Sequence, residues 1–450
     1  MVARDLQAVF DSVRSVENKF DLVNFKSGGM FVWPAIRLRL IRVICESAGI
    51  YEPTPKQPSI FDKASAFDPS KTEAIYRRIL SGKLKANTAV IPFLRRNAKG
   101  EDVFTKRIVS SANNPFVFGV GAADSQSDKL SLDYISKFFE KKYRIRALVF
   151  AALGIRLWHR NYWRQAISEL EDLTGAKLTQ YQNLPKWLMV EFHSQRIGFR
   201  KVIRKLGVKT LFYVNAYNSA FIAGAKQAGA WVIEPQHGLL SSLHSSLSWP
   251  SSPYVDYQPD EVLVWGQYWA DATKFAENVK TTVIGWSPIV PRADGENRKL
   301  GTIAFISQPE HASEIAQLAM GTARSHPELK VVLKLHPKDS VPNISETQNF
   351  QVAGASVNSQ ILGTRCEYVV GVSSMALAEA ASLGAKVSVI DLPGREHFNQ
   401  LKSLGVINLV KGKFDVTSAI RDSKVFTESG YLFAPELDDE EFKKLVNGAL

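Results

Sequence analysis

Apolar strand-like runs alternate with helical segments along most of this chain, and they do so in two blocks. Short β-rich runs are divided by helical stretches from Thr88 onward, and the same alternation restarts at Thr302. Strands that are apolar on both faces and alternate with helices predict parallel sheets covered on both sides. Residues 286–300 between the blocks (WSPIVPRADGENRKL) are rich in Pro, Gly and charge, which is typical of a linker. The sequence therefore predicts an α/β fold with two doubly wound, Rossmann-like domains that face a cleft.

The length of 450 residues favours two or three domains, and the pattern predicts two. We expect an N-terminal domain over 1–285 with helical additions, a linker over 286–300, and a C-terminal domain over 301–436. A charged helix within 437–450 is expected to pack back on the first domain. The predicted strands cover 89–93, 116–120, 211–214, 231–233, 262–265, 303–306, 331–335, 367–372 and 387–390.

An amphipathic helix is expected near the N-terminus, after Pro34. Ile36, Leu40 and Ile44 share one face of this helix, and Arg37 is predicted to point away from it.

Two cysteines and an excess of basic residues limit the environment of the protein. Cys45 and Cys366 are far apart in sequence, so neither a disulfide framework nor a zinc spacing is expected. The N-terminus lacks the pattern of a signal peptide, so we expect a cytoplasmic protein. The net charge of +12 suits an anionic partner without choosing among nucleic acid, phospholipid and a phosphorylated substrate.

The segment 137–164 sets the apolar run 147–155 between basic flanks, with Trp158 and Trp163 close behind. The run is far shorter than the ~20 residues that span a bilayer. One interpretation is a helix that lies on an anionic membrane surface, which would make the protein peripheral at the inner face of the cytoplasmic membrane. The alternative is a buried helix whose arginines extend to solvent.

Polar residues follow two strands of the second block. Ser373 and Ser374 lie where a strand becomes a helix, so a hydroxyl there can cap the helix and its free N–H groups attract an anion. A helix cap with no ligand is the alternative. Glu379, further along the helix, is predicted to accept hydrogen bonds from a ribose diol, and the alternative is a solvated glutamate. We include Ser307 and Gln308 in the predicted donor site.

His336 follows another strand and precedes Pro337, which holds the imidazole at the strand end. With Lys334 it is suited to holding a phosphate and neutralising charge as the phosphate leaves. The same dipeptide at His326 ends a helix and is predicted to be a surface turn.

In the first block, the strand 231–233 runs into Glu234-Pro235-Gln236-His237-Gly238. Gly238 permits a tight turn, so His237 or Glu234 is predicted to project into the cleft. An imidazole is suited to removing a proton from a hydroxyl at neutral pH, whereas a loop histidine bonded to backbone is the alternative. The hydroxyl-rich segment 241–253 is expected to be a mobile loop over an acceptor.

Several motifs are absent from the sequence. It contains no Asp-X-Asp pair, no phosphate-binding P-loop, no Gly-X-Gly-X-X-Gly after a first strand, and no Gly-X-Ser-X-Gly. We therefore expect no metal and no cofactor, and we expect protein groups to neutralise the charge of a bound phosphate.

His336-Pro337 and Ser373-Ser374, in the second of two doubly wound domains, resemble the His-Pro and Ser-Ser motifs of bacterial polysialyltransferases. They also resemble the donor half of CDP-glycerol glycerophosphotransferases and of Kdo transferases. The resemblance covers about 301–398 and implies a GT-B-type transferase with a cytidine-activated donor. It implies that His336, Ser373 and Ser374 bind the nucleotide phosphate.

Gln236-His237-Gly238 is similar to the His-Gly loop that carries the proposed base of the glycerophosphotransferases. Two departures leave the donor open. The acidic-acidic-Gly motif of polysialyltransferases is not present, and Gly371-Val372 stands where many glycerophosphotransferases have Asp-Tyr.

We expect a metal-independent glycosyltransferase of capsule or lipopolysaccharide biosynthesis. It would transfer an acidic sugar, sialic acid or Kdo-like, from a CMP-sugar to a glycan or lipid-linked glycan acceptor, with no nucleic-acid partner. The alternatives are a CDP-glycerol or UDP-sugar dependent transferase, a nucleotide-sugar epimerase on the same scaffold, and a non-catalytic nucleic-acid or membrane-binding module.

Overall fold

The chain folds into two six-stranded sheets, each of them parallel throughout. The computed structural model describes residues 5–51, 69–93, 101–120, 129–153, 157–184, 186–251, 253–286, 299–336, 339, 344–354, 357, 359–410 and 415–448. The predicted fold class, α/β with two doubly wound domains, is confirmed.

The first sheet has the strand order β4-β3-β5-β6-β7-β8 and follows a two-stranded hairpin of β1 (Lys26–Ser27) and β2 (Met30–Phe31). Its strands are β3 (Thr88–Ile91), β4 (Phe116–Val117), β5 (Thr210–Tyr213), β6 (Trp231–Pro235), β7 (Glu261–Val264) and β8 (Lys280–Val283). Every residue of β3, β5 and β7 is buried, as expected for a sheet with helices on both faces.

The second sheet has the order β11-β10-β9-β12-β13-β14. Its strands are β9 (Lys299–Ile306), β10 (Lys330–Lys334), β11 (Phe350–Ala353), β12 (Cys366–Gly371), β13 (Lys386–Ile390) and β14 (Asn408–Val410). All nine predicted strands are present, with ends shifted by up to a few residues. β8, β11 and β14 were not predicted, and all three are edge strands.

Helices cover both faces of each sheet. The first half contains Leu6–Lys19, Val32–Ser47, Pro69–Leu80, Lys106–Ser111, Leu132–Leu153, Leu157–Thr174, Thr179–Gln182, Lys186–Leu206, Ser219–Lys226 and Gln267–Ala272. The second contains Ala312–Ser325, Ser359–Arg365, Met375–Ser382, Asn399–Ser403, Val416–Asp422, Ser429–Leu432 and Asp439–Val446. Asp5, Asn218, Asp415 and Asp438 cap the helices that follow them through side-chain oxygens, which satisfies N–H groups with no partner inside the helix.

The amphipathic helix Val32–Ser47 forms as expected, but the prediction for Arg37 was wrong. Arg37 is 1% exposed, and its Nε donates to Glu17 Oε1 at 2.5 Å. Glu17 also accepts the indole N–H of Trp33 at 2.7 Å. A buried guanidinium is stable when it is paired and hydrogen-bonded, and here the partner comes from the preceding helix.

Apolar packing joins the two halves. One core cluster contains Trp265 and Trp269 from the first half together with Leu377 and Ala380 from the second. The indole N–H of Trp269 donates to the carbonyl of Leu432 at 2.6 Å. Of the predicted linker, 287–298 lie outside the described residues.

The end of the chain returns to the first sheet. The N–H of Ala434 donates to the carbonyl of Trp265 at 2.8 Å, and the N–H of Leu437 donates to that of Ile284 at 3.1 Å. The helix Asp439–Val446 then buries three side chains against β3, β5, β6 and β7. They are Phe442, Leu445 and Val446.

The helix Leu132–Leu153 buries one face and exposes the other. Phe139, Tyr143 and Ala147 are buried, whereas the exposed apolar side chains are those of Ile145 (79% exposed), Leu148 (49%), Val149 (52%) and Phe150 (48%). The interpretation of this segment as a buried helix therefore does not hold for these four residues. Within the described part of the chain, no helix is both long and apolar enough to cross a bilayer.

Candidate active site

Four of the predicted donor residues lie at the switch point of the second sheet. The chain passes from β9 to β10 and β11 on one side, then returns to β12 and continues to β13 and β14 on the other. In open α/β sheets, ligands bind beyond the carboxyl ends of the strands at such a reversal. Ser307-Gln308 follow β9 and Ser373-Ser374 follow β12, so both pairs border the same crevice.

A reciprocal pair of hydrogen bonds joins these two loops. The Gln308 amide donates from Nε2 to Ser373 Oγ at 3.0 Å, and the Ser373 N–H donates to Gln308 Oε1 at 2.8 Å. The Ser373 N–H is thus bonded within the protein. Gln308 therefore fixes the serine loop in place.

The remaining polar atoms of the crevice include two hydroxyls. Ser374 Oγ caps the helix Met375–Ser382 by accepting from the Ala376 N–H at 3.3 Å. Ser307 is 3% exposed, and its hydroxyl has no hydrogen-bond partner among the described residues. Buried hydroxyls are normally paired, so Ser307 is an exception in this crevice.

Two further features shape this crevice. Gly394, after β13, has φ +95°, and a Cβ there would lie 3.2 Å from Ser373 Oγ, so only glycine allows this close approach. Glu379 lies in the helix Met375–Ser382 and is 8% exposed, which disagrees with the alternative of a solvated glutamate.

Lys334 and His336 lie at the end of β10, on the other side of β9. Lys334 is 7% exposed, and its Nζ donates to the Leu335 carbonyl at 2.7 Å. Burial lowers the pKa of Lys334, and the charge of Asp339 opposes that shift. The His336 N–H donates to Asp339 Oδ2 at 2.7 Å, which closes a turn. Pro337, also predicted for this site, lies outside the described residues.

β9 separates β10 from β12, so the two polar strand ends lie roughly 10 Å apart at the usual strand spacing. Such a separation suits a ligand that spans both loops.

Glu234 and His237 lie at the carboxyl end of β6 in the first sheet. Glu234 is 2% exposed, and burial raises its pKa to about 8. Burial lowers the pKa of His237 to about 4, although a hydrogen bond to the Pro235 carbonyl opposes the shift. His237 Nδ1 lies 3.7 Å from Glu234 Oε1, beyond hydrogen-bonding distance. At pH 7 the imidazole is therefore neutral and the carboxyl group mostly protonated.

The turn at His237 is held by Gln236. Its Nε2 donates to the Gly238 carbonyl at 3.0 Å, and its Oε1 accepts from the Trp265 N–H at 2.9 Å. Gly238 does not have a positive φ, so the amide of Gln236 is what closes the turn. The rings of Phe93 and Phe104 lie 5.4 and 6.4 Å from the imidazole between centroids, which explains its desolvation.

The predicted acceptor loop, described here over 241–251, is held by two arginines of the N-terminal helices. Arg14 Nη2 donates to the Ser242 carbonyl at 2.8 Å, and Arg37 Nη1 donates to the Ser245 carbonyl at 2.6 Å. The Arg37 guanidinium also lies over the ring of Trp249, at 4.4 Å from its centroid. Two arginines of the N-terminal helices thus hold the loop that faces the second domain.

This loop contacts the second domain through residues that the sequence analysis missed. Ser241 Oγ lies 2.9 Å from Nδ1 of His397, which belongs to the 3-10 turn Arg395–Phe398. His244 lies close to His237, His397 and Arg37, so a positive charge on any of these side chains disfavours a proton on His244. Burial first, and then these charges, lowers the pKa of His244 to about 3. Burial alone lowers the pKa of His397 to about 4.

The candidate active site therefore combines a hydroxyl-rich crevice on one domain with neutral imidazoles on the other. No cluster of three or more His, Cys, Asp or Glu side chains with metal-binding geometry occurs among the residues that the structure describes. Cys45 and Cys366 are buried and are not joined in a disulfide.

The sequence matches no known protein-family profile and no curated protein sequence. Among solved structures, the fold is similar to that of the spinosyn rhamnosyltransferase SpnG (13% identity, 75% of this chain and 89% of that chain, TM-score 0.40). It is also similar to the spinosyn forosaminyltransferase SpnP, with 10% identity, 81% of this chain and 96% of that chain covered, and a TM-score of 0.41. A third similar structure is an α,α-trehalose 6-phosphate synthase from Burkholderia multivorans, with 11% identity, 81% of this chain and 92% of that chain covered, and a TM-score of 0.37. Likeness at these identities carries no statement about substrate or reaction.

Proposed function

We propose that this protein is a glycosyltransferase that binds a nucleotide-activated sugar in the second domain and an acceptor hydroxyl against the first. One observation carries the proposal. The hydroxyl-rich crevice at the switch point of the second sheet and the His237 turn at the end of β6 belong to domains that Ser241 and His397 bring into contact.

The geometry supports a defined role for each group. The imidazole of His237 is neutral at pH 7, so its unprotonated ring nitrogen can accept a proton from the acceptor hydroxyl. The acceptor oxygen then bonds to the anomeric carbon, and the bond from that carbon to the phosphate oxygen breaks. The electron pair of that bond stays on the leaving phosphate. In this proposal Lys334, His336 and Ser374 stabilise the charge there.

For the donor, we propose a CMP-activated acidic sugar, sialic acid or Kdo-like, in capsule or lipopolysaccharide biosynthesis. The His336 and Ser373-Ser374 motifs support this choice, as does the net charge of +12. CDP-glycerol and UDP-sugars are the competing donors. In all cases protein cations rather than a resident metal would neutralise the phosphate.

A panel of CMP, CDP and UDP donors tests the proposal by thermal shift and nucleotide release with the purified protein. We expect CMP donors to stabilise the protein and to release nucleotide when an acceptor is present. Stabilisation by UDP alone would replace the proposed donor, and an absence of binding by every nucleotide would contradict the transferase proposal.

His336→Ala is expected to slow nucleotide release by at least tenfold without lowering the melting temperature. His326→Ala is the matched control. As predicted, His326 immediately follows a helix, Ala312–Ser325, and its Nδ1 lies 3.0 Å from Glu328 Oε1 on the surface. Full activity of the His336 variant, or equal losses in both variants, would refute the site.

We further propose that the helix Leu132–Leu153 rests on an anionic membrane surface. Ile145, Leu148, Val149 and Phe150 are exposed beside the exposed basic residues Lys141, Lys142, Arg144 and Arg146. Apolar side chains beside cations favour binding to anionic lipid. Phe150→Ser should reduce sedimentation with phosphatidylglycerol vesicles, whereas Leu300→Ser, at an 82% exposed residue of the other domain, should not. Equal binding to vesicles of neutral phosphatidylcholine would contradict this proposal.

A further inference from the structure

A cavity of about 370 Å³ lies at the carboxyl ends of β6, β7 and β8, beside the His237 turn. Its walls include Phe104, Gln236, Trp265, Trp286 and Glu436. The volume falls at the lower end of the range for small-molecule sites, roughly 300–1,000 Å³.

One wall of the cavity is a stack of three aromatic rings. The ring centroids of Trp265 and Trp286 are 4.4 Å apart with an interplanar angle of 25°, and those of Phe104 and Trp286 are 5.7 Å apart at 18°. Nearly parallel rings of this kind present a flat apolar face, which suits the C–H face of a pyranose ring.

The polar groups around this wall suit a neutral ligand with hydroxyl groups better than a ligand with a net charge. The indole N–H of Trp286 is buried and has no hydrogen-bond partner within the described structure. Glu101 and Glu436 line the cavity together with Lys106 and Arg107, so the lining charges balance. Arg107 is already paired with Glu436 at 3.4 Å and with Asp439 at 3.1 Å.

We infer that this cavity binds a neutral pyranose residue of the acceptor, one or more units away from the reacting hydroxyl. The inference depends on the proposed transferase function and names a substrate class for it. Phe104 connects the two places, because its ring lines the cavity and also lies 6.4 Å from the His237 imidazole. An oligosaccharide can therefore stack one ring on Trp286 while a neighbouring unit reaches His237.

The probes are cellotetraose and maltotetraose, with an oligogalacturonate tetramer as the acidic comparison. Binding is followed by tryptophan fluorescence and calorimetry on the full chain. We expect one of the neutral tetrasaccharides to bind and to change the tryptophan emission. Preferential binding of the acidic tetramer, or no binding of any probe, would overturn the inference.

Three variants locate the binding. Trp286→Ala should weaken it at least tenfold by removing the ring on which the pyranose stacks. Ser110→Trp should do the same by filling the cavity from an exposed position, without loss of any core side chain. Trp187→Ala, at a tryptophan that is 52% exposed and outside the cavity, should leave it unchanged. Unchanged binding in both cavity variants would overturn the inference.

Thermal shift with CMP, CDP and UDP on the same variants separates the two proposals. Nucleotide binding that survives in the cavity variants, while tetrasaccharide binding is lost, supports both of them. A wild-type protein that binds nucleotide but no tetrasaccharide refutes only the acceptor cavity. One that binds the tetrasaccharide but no nucleotide refutes the donor site instead.

Discussion

The two sheets end in opposite chemical environments, although both are parallel and doubly wound. At the carboxyl edge of the second sheet, side-chain amides and hydroxyls such as Gln308 and Ser373 bond to one another. At the edge of the first sheet, Phe93 and Phe104 surround an imidazole, and a carboxyl group is buried beside it.

This difference separates anion binding from proton transfer. A polar edge with a capped helix can hold a phosphate without changing the protonation of its own groups. The aromatic edge raises the pKa of Glu234 and lowers the pKa of His237, because burial disfavours the charged form of both side chains. Under the proposed function, a polar edge would hold the donor and a drier edge the acceptor, so that water would not replace the acceptor.

The largest expected effect tests whether the first edge carries the chemistry. His237→Ala should lower kcat by about 10²–10⁴-fold, the usual contribution of a general base. The dissociation constant of the donor nucleotide should stay within about twofold, measured by calorimetry. If the affinity for the donor nucleotide falls by as large a factor as kcat, the first edge also takes part in donor binding, and the separation of roles is contradicted.

An intermediate effect is expected at the second edge. Gln308→Ala removes both hydrogen bonds that hold Ser373, so the donor KM should rise about tenfold with a smaller change in kcat. Gln308→Glu keeps the shape but loses the donor to Ser373 Oγ, and it should lie between wild type and alanine. A fall in kcat at unchanged KM would assign Gln308 to the chemical step instead.

The smallest expected effect is on stability, and it tests the desolvation of the first edge. Because the folded-state pKa of His237 is about 4, the unfolded chain binds a proton below pH 6.5 that the folded protein does not. Stability is then lost as pH falls from 6.5 toward 4, by about 2 kcal/mol at pH 5 for this residue. His237→Gln should show a correspondingly smaller drop in melting temperature between pH 7 and pH 5. Identical drops in the two proteins would show that His237 is not desolvated.

Glu234 contributes with the opposite sign. Since its pKa is raised to about 8, its contribution to stability is fully present below pH 4.5 and is lost as pH rises through 8. Glu234→Gln should therefore flatten the stability profile between about pH 4.5 and 8 and leave it unchanged below pH 4.5.

The sequence was sufficient for all the central strands of the two large sheets, but for only one of their four edge strands, β4. β9, β10 and β12 are continuous apolar runs because both of their faces are covered. β8 reads KTTV, with no buried residue, so its sequence lacks that signal. A strand of this kind forms because its neighbour offers free hydrogen-bonding groups, a property that depends on the assembled sheet.

The site residues divide in the same way. Ser307, Gln308, Ser373 and Ser374 could be placed together because each follows a strand directly. Arg37, Ser241 and His397 could not, since their roles depend on contacts between distant parts of the chain. The Ser241–His397 contact joins residues 156 positions apart, and no local pattern indicates it.

The return of the chain end to the first sheet has a consequence for the order in which the protein folds during synthesis. Phe442, Leu445 and Val446 cover a face formed by Val90, Phe212 and Leu263. Domains generally fold as they emerge from the ribosome, N-terminal first. Here that face of the first sheet stays uncovered until the whole second domain has been translated. During that interval an apolar surface is exposed to chaperones and to other nascent chains.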